Sequence, residues 1–566
     1  MMSEYYGIIA MFGVAIILAV PLGKYISKVY GGEKNFMDFI NPFEKFIFRF
    51  SGIDLKKEMN WKQHLIVMLT INMVWFVYAM LMLVTQKYHF WNPDNNPSMT
   101  PDLAFNTAIS FVANCNLQDY SGETGASYLS QVAVFTFLQF VSAATGMATA
   151  IVVFTALKNK TTDKLGNFYN FFVKSITRIL LPLSLLTAII LVLNGTPQTF
   201  KGKDNIVNLE GKKVQVSRGP AASMIAIKHV GTNGGGFFGA NSSHPFENPN
   251  YLTNMVEMIA QLIIPLALIF GLGYYINRKR FVWLIFGVMT FGFLCLVIPT
   301  IYWEVKGNPA ITQMGITQTV GNMEGKEVRF GVPSSGYWSI LTTVISTGSV
   351  NSMHDSFTPL SGMMQMLAMM INSFYGGCGV GFLNYYIFII LAVFISGLMV
   401  GRTPEFLGRK IEAREVKIAV IVTLLTSLLV KGFTAIAAYM YVSNPVSHAG
   451  WLNNHLFHGF SEMLYQFTSC FANNGSGFEG LGDNTKFWNI TGGLVIILGR
   501  YLPIIGPVAI AGLLAQKKYV PESVGTLQTD TITFGIMTFA VIIITTALCF
   551  LPGLTLGPIA EYFSFK

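Results

Sequence analysis

Charge is what this sequence has least of: Asp, Glu, Lys and Arg together make up 11% of its 566 residues, less than half the share of an ordinary soluble chain. A chain so poor in charge and 52% hydrophobic reads as a polytopic membrane protein, and the all-α class follows from its long apolar runs. Its five cysteines, Cys115, Cys295, Cys378, Cys470 and Cys549, are too far apart for a CxxC site. All fall in or near apolar segments, which points away from a disulfide framework and from a bound metal. There is no Walker A sequence and no DKTGT phosphorylation motif, so nothing in the chain is built to accept a phosphoryl group from ATP. The opening MMSEYY has no basic run and no small-residue cleavage site follows the first apolar segment, which is therefore expected to be retained. The net charge of +9 comes from clusters beside apolar segments. That is the pattern of orientation signals, and no nucleic-acid partner is read from it.

What the chain has instead is apolar runs near 20 residues long, the length that crosses a bilayer. About ten are expected, at 6–29, 64–85, 128–157, 171–194, 252–276, 280–302, 363–400, 415–442, 487–515 and 530–552. Basic residues gather in alternate loops: Lys24 to Lys62, Lys158 to Lys164, Arg278-Lys279-Arg280, Arg402 to Lys417 and Lys517-Lys518. By the positive-inside rule both termini are expected on the extracytoplasmic side.

The other loops carry a pattern of their own. Each holds a short semi-apolar helix of about ten residues, too short to span, followed by a small polar stretch: FNTAISFVANCNLQDYSGE (105–123), MIAIKHVGTNGGGFFGANS (224–242), SILTTVISTGSVNSMHDS (339–356) and EMLYQFTSCFANNGSGFEG (462–480). One such stretch is an ordinary Gly/Asn-rich turn. Four in register form a repeat, with Asn114-Cys115-Asn116, Thr232-Asn233-Gly234, Ser346-Thr347-Gly348 and Asn473-Asn474-Gly475 aligned. The expected units are an N-terminal helix and loop at 1–63, four helix/half-helix/strand/helix repeats at 64–157, 171–276, 280–400 and 415–515, and a C-terminal helix at 530–552.

Non-helical backbone survives at membrane depth only where it is buried in protein or lines a wet cavity. Four polar strands around one axis would present rings of carbonyl oxygens, and such rings can replace the hydration shell of K⁺. Small residues keep side chains off the axis, and the glycines of GTNGGGFFG (231–239) permit a positive φ that would turn a carbonyl inward; such a φ is expected at Gly234. The C-terminal ends of the half-helices would add partial negative charge near the cation.

Five stretches resemble the signatures of one family: ANCNLQDYSGETG (113–125), GTNGGGFFGANSSHPFENP (231–249), MHDSFTPLSGM (353–363), GRTPEFLGRKIE (401–412) and ANNGSGFEGL (472–481). They are similar to those of the KdpA family, the potassium-binding subunits of the bacterial Kdp potassium-transporting ATPase, and the resemblance runs from the first helix to the last. It implies a non-catalytic, channel-like subunit that selects K⁺ outside the cell membrane and passes it sideways to a P-type ATPase subunit, with two small accessory subunits completing the complex. K⁺ is then bound substrate, and no organic or metal cofactor is expected. The resemblance makes the twelve aligned residues the filter; Cys115 stands where family members often carry Thr.

Other residues are weighed singly. Gln118 is placed at the filter mouth, or as a brace of its loop. Gly235 supports the strand. His354 and Asp355 either brace the third strand or form a surface turn. Arg500, inside IILGRYLPII, must face a cavity, a partner subunit or an acid, since an unpaired intramembrane charge costs at least about 2.5 kcal/mol; Lys431 raises the same question. INSFYGGCGVGFLNYY (371–386) interrupts the seventh segment, and its Gly376, Gly377 and Gly379 favour an unwound middle that could gate the route. Two rivals are considered. A Trk- or Ktr-type K⁺ channel or symporter subunit would share the fourfold design; the insertion at 201–219 and the quoted stretches argue against it. A secondary carrier of another class would show inverted repeats and charged clamps, whereas these repeats run parallel.

Overall fold

The computed structural model describes residues 2–401, 403–521 and 528–565; Arg402, counted above with the basic loops, lies outside them. Ten helices among the described residues are long and apolar enough to cross a bilayer: Ser3–Gly31, Trp61–Tyr88, Ser130–Lys158, Phe168–Leu193, Tyr251–Tyr275, Lys279–Gln313, Val380–Met399, Ala413–Ser443, Lys486–Gln516 and Ile532–Ser564. The seventh segment, expected over 363–400 with an interruption, is two helices, Pro359–Ile371 and Val380–Val400. The unwound middle is shorter than the 371–386 expected, because the chain is helical again from Val380. Strands are confined to two small hairpins. One pairs Asp204–Val207 with Lys213–Val216 inside the 201–219 insertion, and the other pairs Glu405–Phe406 with Arg409–Lys410.

The spans are not equivalent. Ser130–Lys158 is buried over 94% of its central stretch, while Ser3–Gly31 and Trp61–Tyr88 are each buried over 22%, so the third span is interior and the first two present apolar side chains outward. Small residues allow the close approaches. Gly23 lies so near Ala267 and Gly271 that a methyl group would sit 2.7 Å from the Ala267 carbonyl oxygen. On the interior third span, threonine hydroxyls bond back to the preceding turn: Thr145 donates to the Val141 carbonyl and Thr149 to that of Thr145, both at 2.9 Å, which satisfies them without water.

Four short helices enter the bundle without crossing it: Pro101–Val112, Ala221–Val230, Val332–Ile345 and Leu456–Ala472. Prolines mark the start of the first three, with Pro101 and Pro333 in the first turn and Pro220 at the N-cap, where a missing N–H costs nothing. The fourth is 17 residues long, longer than the ten expected. All four end alike. The backbone N–H of Cys115, Asn233, Thr347 and Asn474 donates to the carbonyl five residues earlier, on Ser110, Lys228, Thr342 and Ser469, at 2.9, 2.8, 3.0 and 3.0 Å. That bond requires a left-handed residue just before the donor, and Asn114, Thr232, Ser346 and Asn473 have φ of 63°, 48°, 57° and 50°. The four-unit alignment is thus written in the backbone, and the fold is an all-α bundle of four parallel repeats around converging polar strands.

Three of the basic loops, at 158–164, 402–417 and 517–518, meet. Arg409 donates to the carbonyls of Asn159 and Lys160, Thr162 N–H donates to Ala515 O (2.9 Å), and Lys517 reaches Lys410 O (3.0 Å) and Glu415 (2.8 Å).

Candidate cation site

The strands after the four short helices converge on Gly234. A methyl group there would lie 2.6 Å from the Cys115 carbonyl oxygen and 2.9 Å from those of Asn474 and Thr347. Those oxygens belong to the second residue of each of the other three strands, so three chain segments more than a hundred residues apart present equivalent carbonyls to one point. Side chains on Gly348 and Gly475 would overlap the Asn474 and Cys115 carbonyls. Glycine is required at these positions by backbone proximity. Gly234 stays outside the left-handed region, contrary to the positive φ expected there; in the second strand that conformation falls one residue later, at Gly235 (φ 74°). The third residues of the other strands, Asn116, Gly348 and Gly475, do have positive φ, at 58°, 81° and 97°.

Asparagine and serine side chains fix the strands to one another. Asn114 donates to Thr232 O (2.7 Å) and Asn116 to Gly234 O (2.9 Å), tying the first strand to the second. Ser142, on the interior third span, donates to the side-chain oxygens of Asn114 (2.9 Å) and Asn233 (3.0 Å). Asn474 reaches Thr342 O (2.8 Å), Asn473 reaches Ile496 O (3.1 Å), and Ser346 donates to Asn372 (2.9 Å). Gln118 accepts from Gly236 N–H (2.7 Å) and so braces the second strand's loop, with Gly235 packed against it. Asp355 is buried and accepts from His458 (3.0 Å) and Asn454 (3.2 Å), while His354 meets the Tyr465 hydroxyl at 2.9 Å. Neither is a surface turn.

Directly beneath the strands lies a cavity of about 20 Å³ lined by Asn114, Ser346, Asn473, Asn372, Gly377 and Arg500, among others. It is large enough for about one water-sized particle. The Arg500 guanidinium donates to Ser142 O at 2.8 Å and has no carboxylate partner among the described residues, which removes the structural ion pair considered for it. Lys431 is half-buried. The break in the seventh segment packs against the floor of the same cavity. Cys378 N–H donates to Thr232 Oγ1 (2.9 Å), and both Gly146 and Gly379 are in backbone contact across the loop and the third span. Gly376 and Gly379 have φ of 67° and 87°.

Ionic groups behind the strands were not read from the sequence. Lys228, wholly buried in the second short helix, pairs with Glu247 at 2.5 Å and donates to Asn241 at 2.7 Å; Glu247 also accepts from Phe238 N–H at 3.0 Å. A lone lysine in MIAIKHVG was the available signal. Asp119, after the first strand, faces Asp483, after the fourth. Burial and then the neighbouring carboxylate raise Asp119 well above the carboxylate range, and burial pushes Asp483 up to about 6. Glu479 accepts from Asp355 N–H at 3.2 Å.

The KdpA family, described as the potassium-transporting ATPase A subunit, has a sequence model that matches residues 9–563. The chain belongs to this family. It is 66% identical over its whole length, and that of the relative, to the potassium-transporting ATPase potassium-binding subunit of Flavobacterium johnsoniae, and 65% identical, again over both whole chains, to that of Flavobacterium psychrophilum. The Geobacillus kaustophilus subunit of the same name is 46% identical over 98% of each chain. Among solved structures, the potassium transporter TrkH from Vibrio parahaemolyticus is similar with a TM-score of 0.51 and 13% identity, over 88% of this chain and 96% of that one. At that identity the likeness concerns the fold alone.

Proposed function

We propose that this chain is the K⁺-binding and translocating subunit of an ATP-driven uptake complex, and that its four converging strands are the selectivity filter. The observation that carries this reading is the meeting of Cys115, Thr347 and Asn474 carbonyls around Gly234. Carbonyl oxygens gathered from several strands can replace the water shell of K⁺, and the twelve residues 114–116, 232–234, 346–348 and 473–475 form the ring stack. The repeats at 64–157, 171–276, 280–400 and 415–515 supply one strand each, with the helices at 1–63 and 530–552 outside them.

Below the filter, Arg500 and the loop around Gly376, Gly377 and Gly379 close the direct path and turn the ion sideways. Asn372 belongs both to the cavity under the filter and to an adjoining cavity of about 50 Å³ lined by Asn384, Thr423, Thr426 and Phe471, which marks a lateral exit. A fixed positive charge there repels a cation that would continue straight down. The ion then passes to a P-type ATPase subunit, which hydrolyses ATP, and two small subunits complete the assembly in the cell membrane. The basic loops set their side in the cytoplasm and the filter loops and both termini outside.

The chain purified alone should hydrolyse no ATP above background, while the complex assembled with its co-expressed neighbours should show K⁺-stimulated hydrolysis. K⁺-stimulated turnover by this polypeptide by itself would overturn the subunit reading.

A further inference from the structure

Near the loop that follows the third strand, one imidazole and three carboxylates come together from three separate parts of the chain. Asp355 lies just past the third strand; His458 and Glu462 sit one turn apart on the fourth short helix; Glu561 belongs to the last helix, at the C-terminal end of the chain. One ligand atom each from Asp355, His458 and Glu462 lies within 4.8 Å of the others. The His458 ring is held from both sides, with Nε2 3.0 Å from Asp355 Oδ1 and Nδ1 2.8 Å from Glu561 Oε1. Glu462 is wholly buried, and its Oε2 has no hydrogen-bond partner. Its other oxygen takes only the Asn454 amide, at 2.9 Å, and the Asn454 N–H, at 3.3 Å. Asp355, His458 and Glu561 line a cavity of about 740 Å³.

We propose that Asp355, His458 and Glu462 form a binding site for a zinc-class divalent cation, separate from the K⁺ filter. The donor types are those zinc takes: an imidazole nitrogen and carboxylate oxygens at about 2.0–2.2 Å, with a fourth position left to water. The cavity beside the cluster supplies that water. Donors in such a tetrahedron stand about 3.3–3.6 Å apart on those bond lengths, so the His458–Asp355 pair, at 3.0 Å, has to open slightly and the pairs that lie wider, within 4.8 Å, have to close. Glu561 completes the arrangement. A metal-bound imidazole donates its second N–H to a carboxylate that fixes its tautomer and aim, and Glu561 stands at Nδ1 in that position. On binding, Nε2 gives up its proton to solvent and the metal takes the proton's place between the ring and Asp355. The unpartnered oxygen of Glu462 gains a ligand. The cysteines take no part in this donor set.

The site would clamp the loop after the third strand to the fourth short helix, and the clamp would bear on the filter because Asp355 N–H also donates to Glu479, five residues after Asn474. The test uses the intact complex, stripped with chelator and then dialysed against Zn²⁺, with metal content read by plasma mass spectrometry and Co²⁺ substitution read by its visible absorption. The wild type should bind one Zn²⁺ per chain at this site and give the intense absorption of tetrahedral Co²⁺. His458→Gln and Glu462→Gln should each lose that ion, and Glu561→Gln should weaken it about 10–100-fold, as removal of an orienting carboxylate does. His448→Gln, at a histidine outside the cluster, should keep it. Thermal melting of each variant without metal establishes folding; should His458→Gln fail to fold, Glu462→Gln and Glu561→Gln carry the test. Absence of a stoichiometric Zn²⁺ in the wild type, or retention of it with unchanged Co²⁺ absorption in the folded variants, would overturn the proposal.

Discussion

Gly234 shows what a single residue decides. Its neighbours are three carbonyl oxygens between 2.6 and 2.9 Å from where a β-carbon would stand, and no rotamer choice removes a β-carbon. Any substitution must therefore push at least one carbonyl out of line. Every 1.4 kcal/mol of lost binding is about a tenfold change in affinity, and in the proposed filter a misaimed ligand costs on that order. Gly234→Ser and Gly234→Asp should weaken apparent K⁺ affinity at least about tenfold and admit Rb⁺ or NH₄⁺ more readily. The measurement is cation-stimulated ATPase activity of the assembled complex across K⁺, Rb⁺, NH₄⁺ and Na⁺. Gly273→Ala is the control, since its β-carbon meets only the Val282 side chain, at 3.0 Å, and should alter packing alone. Normal affinity and ion ranking in well-expressed Gly234 variants would remove the filter assignment. Thr232 makes the complementary point. It is β-branched and left-handed, a conformation that costs about 1–3 kcal/mol, and it is held there by the bond its hydroxyl accepts from Cys378.

At the scale of elements, the short helix and its strand are one device, and the broken seventh segment is a second device beneath it. The helix ends by a bond from the second strand residue back five positions, which turns the chain out of the helix and into the strand. Arg500 reaches the cavity beneath the strands and is anchored to the Ser142 carbonyl; Ser142 in turn holds Asn114 and Asn233. Arg500→Met should therefore change transport rate or the coupling of ATP hydrolysis to uptake more than ion selectivity, because the carbonyl ring lies above it. Uptake and ATPase rates equal to wild type would make the charge a bystander. Much of this level was legible beforehand. The four units, their register, the ten spans and the weak point in the seventh all follow from apolar run length and from small polar residues recurring in phase. What was not legible depends on long-range pairing. Lys228 stood out in an apolar helix, but its partner Glu247 lies beyond the glycine loop, and local spacing does not say that the chain folds back. Likewise the shift of positive φ from Gly234 to Gly235 depends on which neighbouring carbonyl each glycine meets, and either glycine permits it.

For the whole molecule, the question is what holds four loops from distant parts of the sequence at one mouth. Polar and ionic contacts do it: Lys228 with Glu247, both buried, behind the second loop, Glu479 with the Asp355 backbone between the fourth and third, and Asp119 with Asp483 between the first and fourth. The last pair makes the assembly sensitive to pH in a direction that can be worked out. A buried carboxyl, Asp119, and a half-buried one, Asp483, set against each other cannot both ionise cheaply, and sharing a proton turns repulsion into a hydrogen bond. Burial raises Asp483 from its ordinary 3.8 to about 6, and Asp119 is raised further. A group whose pKa is raised by folding contributes stability that is complete below its unfolded value and is lost as pH rises through its folded one. The contribution from Asp483 is therefore full below about pH 4 and gone above about pH 6. Asp483→Asn replaces the ionising group by a neutral one of the same shape that can still hydrogen-bond to Asp119. The melting temperature of the wild-type complex should fall as pH rises from 4.5 to 7.5, and that of Asp483→Asn should fall less, so the variant gains on the wild type toward neutral pH. Parallel melting curves for the two proteins across that range would mean that the pair carries no shared proton and that the first and fourth loops are held by packing alone.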